Sequence, residues 1–224
     1  MKNKFKNNYI EFQREIETRG INSLVHFTPT LNLMGIFELG KIINRAQLER
    51  IGQNHVDYLL DYTQMTDDYR FDDPSYINLS IEHPNSFLLK RFQQKTNDAI
   101  HIQWCVILID VEPLFWENTQ FSVTNAASNA AKNYGIGTSI EHFKNMFKDS
   151  LTIKNRRLTR FNLSPKYSTD VQAEVLVKDE IGLNYIQKIV FQNEDDLLLA
   201  KGAVKELEKF ELEVNNDLFQ RRRN

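Results

Sequence analysis

One cysteine among 224 residues, Cys105, excludes an intrachain disulfide. It lies in the apolar run Trp104-Cys105-Val106-Ile107-Leu108-Ile109-Asp110-Val111, which reads as a buried strand, so a core thiol is expected and not a nucleophile. Without a second cysteine, and with His26, His55, His83, His101 and His142 scattered along the chain, a structural zinc site is not expected and no metal is predicted. No apolar run approaches the length of a membrane span, and none follows the basic start Met1-Lys2-Asn3-Lys4-Phe5-Lys6, so a cytoplasmic protein without membrane contact is predicted. An excess of one charge is missing too: a formal net charge of -2 excludes a surface coated in positive charge and leaves any nucleic-acid contact to a local patch.

Several motifs are also absent. There is no phosphate loop and no nucleophile elbow, which removes sequence support for phosphoryl transfer and serine hydrolysis. Gly135-Ile136-Gly137 begins like a dinucleotide fingerprint, but Ile140 stands where the third glycine belongs. Asp57, Asp61, Asp67 and Asp68 lack calcium-loop spacing and read as a solvated face. With no repeat, low-complexity tract or linker, residues 1–224 are expected to form a single domain.

What is present alternates between helical and strand periodicity. Tyr9, Ile10, Phe12 and Ile16 predict an amphipathic helix over 8–19, ended by Gly20. Leu24–Thr28 reads as a strand that leads through Pro29 into a helix containing Leu31, Met34, Ile36 and Phe37, stopping at Gly40. Further strands are predicted at Ser75–Ile81, Trp104–Val111, Asp170–Val177 and Tyr185–Phe191, and a helix at Ile140–Phe147. Leu151–Thr169 shows little periodicity and is expected as a loop. Ala200, Ala203, Val204, Leu207, Phe210 and Val214 make an apolar stripe that predicts a C-terminal helix over 196–214. These elements give a mixed α/β or α+β class.

Within Asp170–Val177, Val171, Ala173, Val175 and Val177 share one face, and Gln172 and Glu174 the other. A fixed carboxylate suits glycosyl transfer from NAD, because cleaving the nicotinamide bond builds oxocarbenium charge on the ribose. Glu174 is therefore the first catalytic candidate; an ordinary edge strand with two solvated polar residues is the alternative. His26-Phe27-Thr28 suits a cleft rim able to hold a nicotinamide ribose and amide, or a strand end in which Thr28 caps the next helix. Ser80 and Asn85 either meet a ligand or satisfy the turn after Ile81. Lys154, Arg156, Arg157, Arg160 and Lys166 occur without an intervening acid and interleave with Phe161 and Tyr167, a pattern that fits single-stranded nucleic acid or a solvated basic loop. Arg221-Arg222-Arg223 reads as a frayed basic tail.

From Val25 to Phe191 the chain resembles the DarT family of DNA ADP-ribosyltransferases, toxins of bacterial toxin–antitoxin and phage-defence systems. The resemblance rests on Val25-His26-Phe27-Thr28 with the helix at 32–40, on Asp67-Asp68-Tyr69-Arg70, on Phe121-Ser122-Val123-Thr124-Asn125-Ala126-Ala127, and on Gln172-Ala173-Glu174-Val175-Leu176-Val177. It implies an α+β ADP-ribosyltransferase-like fold with a split, mainly antiparallel sheet flanked by helices, and NAD as co-substrate. It further implies Glu174 and an arginine, Arg70 with Arg45 as rival, as catalytic residues. His26, Phe27 and Thr28, with Ser80, Asn85 and Gln172, would then contact NAD. Arg156, Arg157, Arg160, Phe161, Lys166 and Tyr167, in the 155–169 segment, would contact single-stranded DNA, with RNA also admissible. An antitoxin with macrodomain or NADAR-type ADP-ribosyl hydrolase activity is the implied partner. Ile77-Asn78-Leu79-Ser80-Ile81 leading into His83-Pro84-Asn85 looks more like the guanine-directed branch than the thymine-directed one, whose strand is aromatic and enters an arginine-serine-proline turn. Transfer to RNA or protein, NAD hydrolysis and a non-enzymatic nucleic-acid-binding module are the other readings.

Overall fold

Apolar residues at period two build a seven-stranded sheet, seen in a computed structural model that describes residues 4–51, 73–99 and 102–222. Its strands are β1 (Leu24–Pro29), β3 (Tyr76–Ile81), β4 (Trp104–Ile109), β5 (Gln120–Ser122), β8 (Glu174–Lys178), β10 (Ile186–Phe191) and β11 (Glu211–Val214), in the spatial order β11-β10-β4-β1-β3-β8-β5. Every neighbouring pair is antiparallel except β10 with β11. Two small ribbons stand apart, one of β2 (Lys41–Ile43) with β9 (Glu180–Gly182), the other of β6 (Ser150–Ile153) with β7 (Arg156–Thr159). Cys105 is fully buried on β4, as expected. The acidic run Asp57, Asp61, Asp67 and Asp68, with His55, Arg70, His101 and Arg223, lies outside the described residues.

One pairing is incomplete, and it opens the sheet. β1 is paired with β4 along its whole length, from Leu24↔Ile109 to Pro29↔Trp104. It meets β3 only at Leu24↔Ile81 and Val25↔Ser80, whereas Tyr76–Leu79 of β3 pair with β8. Beyond Val25 the two central strands diverge. This is the split, mainly antiparallel sheet that the resemblance implies.

Helices cover the sheet. In α1 (Tyr9–Arg19), Phe12 and Ile16 are one turn apart and both buried, with the Phe12 ring 5.5 Å from that of Phe121 on β5. The helix ends where Gly20 takes φ 68°, a left-handed geometry that lets its N–H donate to the Glu17 carbonyl. α2 (Asn32–Leu39) follows β1 and closes on Gly40, and α3 (Arg45–Ile51) follows β2. α4 (Ser86–Lys95) is capped by the Asn85 side chain, which accepts from the Leu88 N–H. α5 (Asn129–Tyr134), α6 (Ile140–Asn145) and α7 (Glu194–Ala203) follow in turn. Among the described residues no helix is long and apolar enough to cross a membrane, and no group of three or more metal-ligating side chains could hold a metal ion.

The structure corrects three expectations. The C-terminal helix predicted over 196–214 stops at Ala203: Val204 is extended, a 3-10 turn spans Lys205–Lys209, and Glu211–Val214 is a strand. The open edge of β10 decides this, because Glu211-Leu212-Glu213-Val214 alternates and Lys188 of β10 bridges Glu211 and Glu213 at 2.8 and 2.6 Å. The segment 151–169, expected as a loop, begins as the β6–β7 hairpin, which turns at Lys154 with φ 53°. Its period-two signal is carried only by buried Leu151 and Ile153, with Leu158 half-buried opposite them. Gln172 does not share a strand face with Glu174. It lies in a turn ordered by Asp170, whose carboxylate accepts from the Gln172 N–H at 3.0 Å and whose carbonyl accepts from Ala173.

Candidate active site

The divergence of β1 and β3 leaves a cleft of about 620 Å³. β1 contributes His26, Phe27 and Thr28, β3 contributes Asn78 and Ser80, and Asn85 and Glu174 also line it. His26, Phe27, Thr28, Ser80, Asn85 and Glu174, all expected from sequence, thus meet in one place. Gln172 is not among the lining residues, and Arg70 falls outside the described residues. Arg45, the rival arginine, lines the cleft from the start of α3 with its Nε 3.3 Å from Glu49.

Glu174 is the first residue of β8 and only 4% exposed, so the edge-strand alternative fails: β8 is flanked by β3 and β5. Its Oε2 accepts from the Ala126 backbone N–H at 2.8 Å and its Oε1 from Asn125 Nδ2 at 3.4 Å. The carboxylate is therefore aimed from two sides, by the Asn125-Ala126 turn and by the strand itself. Sequence reasoning picks out that turn as a motif but misses its role as the holder of Glu174. The signal available is Ser122-x-Thr124-Asn125, polar residues immediately after an apolar strand, with Ser122 paired to Glu174.

His26 is half-buried, and desolvation lowers its imidazole below the usual histidine range, opposed by the Asn78 carbonyl 3.4 Å from Nδ1. The shift favours the neutral ring. Thr28 Oγ1 accepts from the Asn32 side-chain Nδ2 at 2.8 Å, tying β1 to α2, but no side-chain hydrogen bond caps that helix, so the reading of Thr28 as its cap fails. Phe27 packs with Phe92 and Trp104, ring centroids 6.0 and 6.1 Å away, and all three rings line the cleft as an aromatic wall. Asn44, which sequence reasoning missed, ties the far rim together: its Nδ2 donates to the Ser75 and Asp179 carbonyls at 2.8 and 3.1 Å.

The basic segment divides into inward and outward cations. Arg160 donates to the Tyr167, Ser164 and Pro165 carbonyls at 2.6, 3.0 and 3.2 Å, and Lys166 pairs with buried Glu82 at 2.8 Å. Tyr167 stands edge-on to His83 at 6.3 Å. Outward are Arg156 and Arg157, both exposed on β7, and the Phe161 ring, which is 79% exposed.

His83 carries a pH prediction. Burial lowers its imidazole below the ordinary value, opposed by the Pro84 carbonyl that accepts from Nδ1 at 2.9 Å and by nearby Asp217, while Arg222 lowers it further. The unfolded chain then binds the proton first, so the stability present above about pH 6.5 is lost as pH falls through the folded value. Between about pH 7.5 and about pH 5 the urea midpoint is expected to fall further for the wild type than for His83→Gln. Equal acid losses in the two proteins would refute the assignment.

A model of the family described as "DarT: ssDNA thymidine ADP-ribosyltransferase, DarT" matches residues 25–220. Among solved structures the chain is similar to Thermus sp. 2.9 DarT in complex with carba-NAD+, with a TM-score of 0.57 and 12% identity over 88% of this chain and 97% of that one. Thermus sp. 2.9 DarT in complex with ADP-ribosylated ssDNA gives a TM-score of 0.55 and 11% identity over 88% and 96%. Thermosipho africanus DarTG in complex with ADP-ribose gives 0.56 and 16% over 88% of this chain and 50% of that one. At such identities the likeness shows the fold. No curated protein matches in sequence.

Proposed function

The chain belongs to the DarT family, and from that premise we propose that it transfers ADP-ribose from NAD to a base, guanine, of single-stranded DNA. The observation that carries this reading is the meeting of the Glu174 carboxylate with His26, Phe27 and Thr28 in the cleft where β1 parts from β3. The cleft has the volume of a small-molecule site, and the Phe27 wall offers a planar surface to a nicotinamide or adenine ring. NAD is the co-substrate and no metal is invoked.

Glu174 faces the nicotinamide ribose. As the glycosidic bond breaks, its electron pair leaves with nicotinamide, and the carboxylate stabilises the positive charge left on the ribose. The exocyclic amine of the acceptor base forms the new bond to the anomeric carbon and gives up a proton, which Glu174 accepts. Arg70, or Arg45 in its place, orients a phosphate. Exposed Arg156 and Arg157 attract the DNA backbone, while a base stacks on Phe161.

The choice of guanine rests on the β3 sequence Ile77-Asn78-Leu79-Ser80-Ile81 and the His83-Pro84-Asn85 turn, which depart from the aromatic strand and arginine-serine-proline turn of the thymine-directed branch. The family is named for thymidine, so thymine is the second reading. As a member of a toxin family, the protein acts in the cytoplasm, in a toxin–antitoxin or phage-defence system. Its partner is an antitoxin that removes ADP-ribose, of macrodomain or NADAR type.

The test incubates the protein with NAD and single-stranded oligonucleotides that each lack one base, in DNA and RNA forms, and reads product masses. An ADP-ribose adduct on every DNA strand except the one without guanine is expected. Loss of the adduct only from the strand without thymine would select the second reading, and adducts only on RNA would move the acceptor class. Nicotinamide release with no adduct on any strand would leave NAD hydrolysis or a protein acceptor. Binding of oligonucleotide with no NAD turnover would leave a non-enzymatic module.

A further inference from the structure

Arg221 and Arg222, expected as part of a frayed basic tail, are instead held against the proposed acceptor side of the cleft. The Arg222 guanidinium donates from Nη2 to the Ser168 carbonyl at 2.8 Å and from Nη1 to Ser168 Oγ at 3.5 Å, and it lies 5.4 Å from the centroid of the Tyr167 ring. Its backbone N–H reaches Ser86 Oγ, at the first residue of α4, at 3.4 Å. Arg221 adds a second hold, its guanidinium 4.3 Å from the Phe87 ring centroid. Burial pulls Arg222 down to about 10, partly offset by Asp170, so it is a full cation at neutral pH.

These contacts fall on a junction. Ser168 Oγ donates to the Asp170 carbonyl at 2.7 Å, and Asp170 orders the turn that begins the Glu174 strand. On the other side, Tyr167 closes a segment already held by two cations. Arg160 ties the segment to itself, and Lys166 ties it to Glu82. Glu82 takes φ 61° at the end of β3, and its Oε1 accepts from the Asn22 and Ser23 backbone N–H groups. Glu82 and His83 lie between Ser80 and Asn85, both of which line the cleft. The 160–170 segment is thereby held against the cleft rim, and Phe161 is left outward at its start.

We propose that Arg222 is a positioning residue for the acceptor: by pinning Ser168 and Tyr167 it holds the segment that carries Phe161 in register with the cleft. This rests on the reading of that segment as the DNA-facing side. Glu174 is also aimed by contacts that do not pass through Arg222, the Ala126 N–H and the β8 pairing, so loss of Arg222 acts chiefly on the acceptor. An arginine suits the task because one planar group reaches a carbonyl, a hydroxyl and an aromatic face together.

The experiment compares the full chain with Arg222→Ala and Arg222→Lys in three measurements. These are the oligonucleotide concentration dependence of ADP-ribosyl transfer, nicotinamide release from NAD without oligonucleotide, and trypsin cleavage after Arg156, Arg157, Arg160 and Lys166. Arg222→Ala is expected to raise the KM for oligonucleotide roughly tenfold, equivalent to one lost charge-assisted contact, with nicotinamide release unchanged and cleavage faster. Arg222→Lys, which keeps the charge, is expected to recover part of the KM and supplies the test should the alanine variant fail to fold. An unchanged KM overturns the proposal, as does a fall in nicotinamide release in step with transfer. If the wild type releases nicotinamide but labels no oligonucleotide, the reading of the acceptor has failed, and the cleavage pattern alone decides: faster cleavage supports the pinning role and unchanged cleavage overturns it.

Discussion

Glu174→Gln is expected to lower ADP-ribosyl transfer on the order of a thousandfold, the scale of losing one aligned electrostatic contact to a charged transition state, while leaving the protein folded. The amide is nearly isosteric with the carboxylate. Its carbonyl oxygen can still accept from the Ala126 N–H that Oε2 takes at 2.8 Å, and the β8 pairings to β3 and β5 are untouched. What disappears is the negative charge that the proposed function sets opposite the ribose and uses to accept the acceptor's proton. Rates of adduct formation by mass spectrometry, beside denaturant midpoints, check both halves. A folded variant retaining more than about a tenth of the wild-type rate would defeat the assignment, since one aligned group is worth far more than tenfold.

Lys6→Met is expected to destabilise the protein by about 3 kcal/mol, because buried carbonyls left without a donor cost about 1–3 kcal/mol each. Lys6 is only 7% exposed, and its ammonium donates to the carbonyls of Leu114 and Thr119 at 3.4 and 3.0 Å and to that of Trp116. It also lies 5.4 Å from the ring centroids of both Phe12 and Phe121. Burial pushes Lys6 down to about 8, opposed by Glu117, so it remains mostly charged at pH 7. Methionine matches the stem and relieves the buried charge, but it leaves the Leu114 and Thr119 carbonyls without this donor. The loss should lower the Tm by roughly 6–12 °C for a chain of this size, with transfer retained at low temperature. An unchanged Tm would show that the ammonium contributes nothing net.

Between them these residues show how a side chain's job depends on what the fold brings to it. In the sequence, Lys154, Arg156, Arg157, Arg160 and Lys166 read alike, as cations facing nucleic acid beside the Phe161 and Tyr167 rings. Folded, Arg160 and Lys166 are engaged by loop carbonyls and by Glu82, and the outward group is Arg156, Arg157 and Phe161. Nothing local distinguishes Arg156 from Arg160. The difference is that Arg156 sits on a projecting hairpin, whereas Arg160 begins a turn that curls around its own guanidinium.

Elements with local signals could be read directly from the order of residues. Phe12 and Ile16 one turn apart made α1, Gly20 and Gly40 ended their helices in left-handed geometry, and the apolar run at 104–109 made β4. Glu174 was legible as a candidate because period-two alternation set it on the polar face of an apolar strand, where a fixed carboxylate suits glycosyl transfer from NAD. The remainder was set by contacts between segments far apart in the chain. The parting of β1 from β3 after Val25, which makes the cleft, depends on how far two distant strands stay in register. Glu211–Val214 became a strand because β10 had an open edge, and Arg222 was held in place because Ser168 offered a carbonyl 54 residues away. Such choices are set by partners remote in sequence, and no local pattern encodes a partner's position.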